Sequence, residues 1–330
     1  MKLKEWINLS IIILLLIIGF LRFINQKHSA NRTVFLLDTH IEINATSRRK
    51  DIAQTLDKAF EIVEQYEKVF SYYDPESRLY KINNTDSLYV RITDDIYEVL
   101  LVAQRLFHES NHLYDVSIAP LLDLWDFDSE TIPEHEAIES AIELIGFDRI
   151  IFDEDYISKP SGMKLNLGSL AKGYIIDKVI DFFIDNDVDE VFINAGGDIR
   201  FYSDGDRKWR IGIQHPRDRD TLISTLRIPD MAVVTSGDYE RYFMVGEHRY
   251  HHIINPKTGY PATPTVSVTI FSDKALIADA LSTAAFVMNP FDAIELIKSY
   301  PNTEGIIYFY DVDGLPVSLN TEKIRQWTAK

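Results

Sequence analysis

The sequence predicts an α+β fold. Strand-like runs crowd the second half of the chain, at 190–195, 208–214, 222–228, 231–235, 241–246 and 250–254. Helical periodicity sits in separate blocks around them. Strands therefore outnumber any regular βαβ alternation, which excludes a doubly wound sheet. The 330 residues, 46% apolar and 26% charged, suffice for a large buried core and argue against extended disorder.

In chain order, Lys2 and Lys4 precede an apolar run from Ile7 to Leu21. With Trp6, Phe23 and Ile24 the run reaches the ~20 residues that span a bilayer, although it then encloses Arg22. No small-x-small cleavage site follows directly, so the segment reads as an uncleaved signal anchor, ahead of a cleaved signal peptide and of a buried helix. The short basic head predicts an inside N-terminus, hence a cell (inner) membrane protein with its globular domain outside the cytoplasm. Residues 1–30 are expected to be anchor and linker, with polar residues 25–32 as the link, and 31–330 a single globular unit.

The alternation over 33–46 predicts a strand. Ile52, Leu56, Ala59, Phe60 and Val63 predict a helix over 50–68, and Ile96, Val99, Leu100, Val102 and Ala103 another over 94–109. A helix over 170–186, the strands named above, a strand at 265–271, helices at about 274–288 and 290–299, and a strand at 304–310 complete the expectation.

A net charge of −17 makes the chain a poor candidate for binding phosphate backbones, so nucleic acid is not an expected partner. The absence of cysteine excludes disulfides, thiolate catalysis and Cys-ligated metal.

Five segments have the residues for chemistry. At 164–174 a short strand enters a Gly turn and a helix, where free N–H groups suit a phosphate and Lys172 adds charge, although such turns are common. Asn194-Ala195-Gly196-Gly197-Asp198 allows a close backbone approach or a plain hairpin. Thr235–Tyr239 is a polar connection between strands. His251 and His252 are adjacent on a strand and face opposite ways, so one at most faces a given pocket. Asp279 and Thr283 are four apart on an apolar helix and share a face. That pair is either hard-oxygen ligation for Mg²⁺ or an Asp stabilised near a helix start.

Taken in order, these segments resemble the ApbE family, the FAD:protein FMN transferases. The matching pieces are 70–77 (FSYYDPES), 114–121 (YDVSIAPL) with Trp125 and Phe127, 167–174 (LGSLAKGY), 194–200 (NAGGDIR), 235–243 (TSGDYERYF), 252–262 (HIINPKTGYPA) and 278–284 (ADALSTA). The resemblance implies a T-fold-related, two-lobed domain of mixed or antiparallel sheets with flanking helices. It implies FAD as substrate in a cleft between the lobes and Mg²⁺ on its pyrophosphate. A Thr or Ser hydroxyl of an acceptor protein, expected in a membrane redox complex, would attack the FMN-side phosphorus and release AMP.

By the same resemblance Asp279 and Thr283 match metal-binding side chains, and Ser169 a third metal position. Tyr73 matches a residue near the flavin. Asp115, Val116, Ser117, Lys172 and Ile253 match positions against FAD, Lys172 standing where some members have Glu. His252 is the expected base, titrating near working pH, with Asp238 as its competitor. Asn255 stands where the family often has Asp. Residues 279–283 (DALST) loosely match the acceptor motif such enzymes modify, but sit on the metal helix and read as ligand geometry. A hydrolase cutting FAD to FMN and AMP, and a non-enzymatic flavin-binding membrane protein, are the alternative readings.

Overall fold

The computed structural model of the chain describes residues 3–24, 26–85 and 87–328. Helix α1 (Leu3–Ile24) is followed by the hairpin β1 (His28–Leu36) and β2 (Thr39–Ser47), then α2 (Ile52–Phe70), α3 (Arg78–Asn83), β3 (Val90–Arg91) and α4 (Asp94–Glu109). Next come α5 (Ala119–Leu122), α6 (His135–Ile142), the short strands β4 (Ile151–Phe152) and β5 (Tyr156–Ser158), and α7 (Gly168–Asp185). Three hairpin-rich stretches follow: β6 (Glu190–Ala195) with β7 (Asp198–Ser203), β8 (Trp209–His215) with β9 (Asp218–Ile228), and β10 (Ala232–Gly237) with β11 (Tyr242–Val245) and β12 (His248–His251). The chain closes with β13 (Thr265–Ser272), α8 (Ala275–Val287), α9 (Pro290–Ser299), β14 (Glu304–Tyr310), β15 (Pro316–Asn320) and α10 (Glu322–Trp327).

Eight strands form one sheet in the order β1-β2-β6-β7-β10-β13-β14-β15. Every neighbouring pair is antiparallel, so of the mixed or antiparallel sheets expected only the antiparallel kind holds the core. Alternation assigns its faces. Val234, Ile270 and Ile307 belong to the core beneath α2, α7 and α8. Val233, Phe271 and Ile306 belong to a second core, closed by Trp209, Ile211 and Leu226 of the β8–β9 hairpin and by Ile324 of α10. Strand β13, covered on both faces, is buried at every position. A third cluster, with Leu121, Trp125, Ile138, Phe243 and Ile254, forms a separate small lobe from α5, α6 and β11–β12.

Local chemistry fixes several boundaries. The Thr93 hydroxyl accepts from Ile96 N–H at 3.4 Å, and Asp94 and Asp95 complement the N-terminal dipole of α4. Asn289 accepts from Phe291 N–H at 3.0 Å, with Pro290 in the first turn of α9.

Two expectations change at the N-terminal end. The strand over 33–46 is two strands, because Leu37 and Asp38 adopt left-handed φ of 53° and 57° and reverse the chain. In place of a linker, His28–Ala30 already pair with Ala45–Ser47. Among the described residues no helix is long and apolar enough to cross a membrane. Within α1 the side chains from Ile11 to Ile18 are all exposed. Lys2 of the basic head lies outside the described residues.

Candidate active site

Helices α7 and α8 form one wall of the site, and three contacts bind them. The Asp177 carboxylate of α7 caps α8, accepting from Ala275 N–H at 2.9 Å and Leu276 N–H at 3.0 Å. Gly173 lets the helices touch: a Cβ there would meet the Asp279 Cβ at 2.8 Å and overlap the Ala275 carbonyl. Gly173 N–H donates to Asp279 Oδ2 at 2.9 Å, which aims a buried carboxylate from α8. Burial, then the neighbouring Asp198 carboxylate, push Asp279 up to about 7, against the pull of Lys172 and the Gly173 N–H.

Lys172, one residue before Gly173, pairs with Asp198 at 2.8 Å. Burial opposes its charge, but Asp198 and Asp279 outweigh that and hold the ammonium above its usual range. Asp198 sits where β7 begins, after Gly196 and Gly197, whose φ of 62° and 101° make the tight turn. One turn beyond Asp279, Thr283 places its hydroxyl 3.4 Å from Ser236 Oγ. Ser236 also bonds Ser282 at 2.8 Å, tying β10 to α8. At the start of α7, Ser169 Oγ lies 2.9 Å from the Tyr114 hydroxyl. Gly168 N–H is taken by Asn166 Oδ1 at 2.9 Å.

Facing this wall is the small lobe. Trp125 is fixed by its indole N–H to the Gly259 carbonyl at 3.0 Å. It stacks on Phe127 and on Tyr250. Tyr73, 72% exposed, stands edge-on to Tyr72 at 5.1 Å. Between the two walls is a cavity of about 640 Å³, ample for a dinucleotide. Tyr73, Asp115, Ser169, Lys172, His252, Ile253, Asp279 and Thr283 all line it.

His252 follows β12 and reaches into this cavity, while His251 is buried and bonds the Ala262 carbonyl at 3.0 Å. The Arg241 carbonyl receives His252 N–H at 3.1 Å and lies 3.3 Å from its Nδ1. Burial pushes the imidazole down to about 4, so His252 is neutral at pH 7. Desolvation outweighs the carbonyl contact, which places this titration below the working pH expected from the sequence.

Residues 37–307 match the family model described as "ApbE family". The chain belongs to the ApbE family. An FAD:protein FMN transferase of Klebsiella pneumoniae (strain 342) is 32% identical over 238 residues, covering 69% of this chain and 74% of that protein. One from Treponema pallidum (strain Nichols) is 28% identical over 308 residues, covering 85% and 84%. The crystal structure of the ApbE protein of Thermotoga maritima superposes with a TM-score of 0.82 at 30% identity, over 92% of this chain and all of that one.

Not every residue matched to the family lies where that match implies. Val116 and Ser117 are buried behind the cleft, not on its surface. Ser117 donates its N–H and hydroxyl to Asp115 Oδ1 at 2.8 and 2.6 Å, and Val116 carbonyl accepts from Asn166 N–H at 2.8 Å. That bonding pins the segment before α5 to the turn before α7. Asp238 is buried, and its two oxygens are held by the two Nη of Arg217 at 2.6 Å each. With both oxygens engaged it is badly placed to accept a proton.

Three residues of the site were missed from the sequence. Asp198 lay inside a quoted motif, but only its contact with Lys172 reveals its part. Tyr114, likewise inside a motif, and Gly173 act by orienting Ser169 and Asp279.

Mg²⁺ takes oxygen donors in near-octahedral geometry. Among the described residues no group of three or more His, Asp or Glu side chains forms a metal nest. A single carboxylate with hydroxyls suits an ion that keeps several waters and takes its remaining oxygens from phosphate. Asp279 fits: it is buried, aimed into the cleft region, and held by a backbone N–H at one oxygen.

Proposed function

We propose that this protein transfers FMN from FAD to a Thr or Ser hydroxyl of an acceptor protein and releases AMP, with Mg²⁺ as cofactor. Membership of the ApbE family supports the activity. The observation that carries the site assignment is the buried Asp279 carboxylate, aimed by Gly173 N–H and one turn from Thr283, in the same cleft as His252.

In this reading Asp279, Thr283 and Ser169 are the residues that would hold the metal. Bound there, Mg²⁺ would neutralise charge developing on the phosphoryl oxygens. Lys172, fixed by Asp198, adds a positive charge beside the diphosphate, and Tyr73, Asp115 and Ile253 contact FAD. An Nδ1–H donated to the Arg241 carbonyl leaves His252 Nε2 as the proton acceptor. The acceptor hydroxyl gives its proton to Nε2 as its oxygen bonds to the FMN phosphorus. The bridging P–O bond breaks and AMP leaves with the electron pair. Burial keeps His252 neutral, the form this step needs.

The membrane role belongs to the same proposal. The exposed apolar run of α1 anchors the chain, the catalytic domain lies outside the cytoplasm, and the acceptor is a protein of a membrane redox complex. The exposed side chains from Ile11 to Ile18 support the anchor.

The test incubates the full chain in detergent with FAD and Mg²⁺, with and without a candidate acceptor, and follows AMP release and in-gel flavin fluorescence. AMP release that requires acceptor, with flavin retained on the denatured acceptor, is the expected result. Rapid AMP release without acceptor would replace the transferase with a FAD hydrolase.

A further inference from the structure

The β8–β9 hairpin stands outside the eight-stranded sheet. It packs on the sheet face opposite α7 and α8 through Trp209, Ile211 and Leu226. Its strand β8 nevertheless supplies part of the cleft wall, through Ile211, Gly212, Ile213 and Gln214. The position of that wall therefore depends on where the hairpin tip is held. The tip is the two-residue connection Pro216-Arg217.

Arg217 reaches from the tip to Asp238, just beyond the end of β10, and makes two parallel bonds of 2.6 Å. Its guanidinium also lies 5.8 Å from the ring centroid of Tyr310 on β14. Arg249 of β12 approaches the same carboxylate at 3.4 Å. The Asp238 side chain is 9% exposed and that of Arg217 28%. A bidentate pair this sheltered is geometrically specific and poorly replaced by water or by a single ammonium.

Asp238 opens the turn that carries Tyr239, Glu240 and Arg241 into the cleft. The Arg241 carbonyl is the group that receives His252 N–H and faces its imidazole. One ion pair thus joins the cleft wall from β8 to the turn that orients His252.

We propose that Asp238 and Arg217 are positioning residues that latch the β8–β9 hairpin over the FAD cleft. This rests on the FAD-dependent reading above. The latch acts on the cleft's shape, so breaking it weakens FAD binding more than it slows the chemical step. A proton acceptor at Asp238 would give the reverse.

The test compares Asp238→Asn, Arg217→Ala, Arg217→Lys and the Arg217→Ala/Asp238→Asn double variant in the full chain. Three readouts are taken: FAD affinity by flavin fluorescence, KM and kcat for FAD turnover, and hydrogen exchange over 210–217 and 239–241. The expected result is a KM and Kd for FAD raised about tenfold, equivalent to about 1.4 kcal/mol. The fall in kcat is smaller than the rise in KM, and exchange is faster in both segments. Arg217→Lys lies between wild type and Arg217→Ala, and the double variant is no worse than the worse single, as one shared interaction requires. A loss of kcat of about 100-fold or more in Asp238→Asn with unchanged FAD affinity would restore Asp238 as the base. Wild-type exchange and FAD affinity in both single variants would overturn the latch. Exchange is read without turnover, so an inactive wild type would sink the functional reading and still leave the latch judged.

Discussion

The two walls of the cleft are built by different means. The wall with Asp279 is a pair of helices joined by the Asp177 cap and the Gly173 contact, and the Ser236–Ser282 bond fixes β10 to α8. The opposite side, with His252 and Asp238, is made of turns and a short hairpin, held by carbonyl contacts and an arginine–carboxylate pair. A helix pair cannot shift without breaking a packed core, whereas a turn moves when one polar contact is lost. On the reading proposed above, the charged diphosphate would lie against the rigid wall and the incoming acceptor against the adjustable one.

Variants on each wall sharpen that contrast. The largest effect is expected at Asp279: Asp279→Ala should lower FAD turnover about 10³-fold, or about 4 kcal/mol of barrier, in steady-state AMP release. His252→Ala should follow, losing about 10²-fold or more in kcat while FAD affinity by flavin fluorescence stays near wild type. A matching loss of FAD affinity would make His252 a binding residue. Gly173→Ala comes next. Its methyl overlaps α8, so thermal unfolding should show about 1–3 kcal/mol of destabilisation together with weakened Mg²⁺ binding. Intact Mg²⁺ affinity in that variant would separate Asp279's aim from the helix contact.

The smallest effect is a pH dependence. Burial and Asp198 raise Asp279 to about 7, so in the metal-free protein its carboxylate is increasingly protonated below that pH. A ligating carboxylate must be ionised, so Mg²⁺ affinity should fall up to about tenfold per pH unit below 7 and level off above it. The imidazole of His252, pushed the other way, should stay neutral by NMR until the pH nears 4.

What the sequence made legible was whatever depends on local pattern. The α4 boundaries followed from apolar spacing alone, and the structure adds the Thr93 cap at its start. Asp279 and Thr283 stood out because a carboxylate in an apolar helix needs a partner. Illegible features required distant pairing or unusual backbone. The Leu37–Asp38 reversal carries no glycine to announce it, so β1 and β2 read as one strand. Asp238 read as a base because its partner Arg217 lies 21 residues upstream, on a hairpin that packs across the sheet. Lys172 read as a free positive charge because Asp198 meets it only once β7 folds beside α7.

Titration of Mg²⁺ into the FAD-loaded full chain, wild type against Asp279→Asn, tests the central claim most directly. The account predicts saturable binding by the wild type and at least about 100-fold weaker binding by the variant, some 2.7 kcal/mol. Equal affinity in the two proteins would contradict it and place the Mg²⁺ site away from α8.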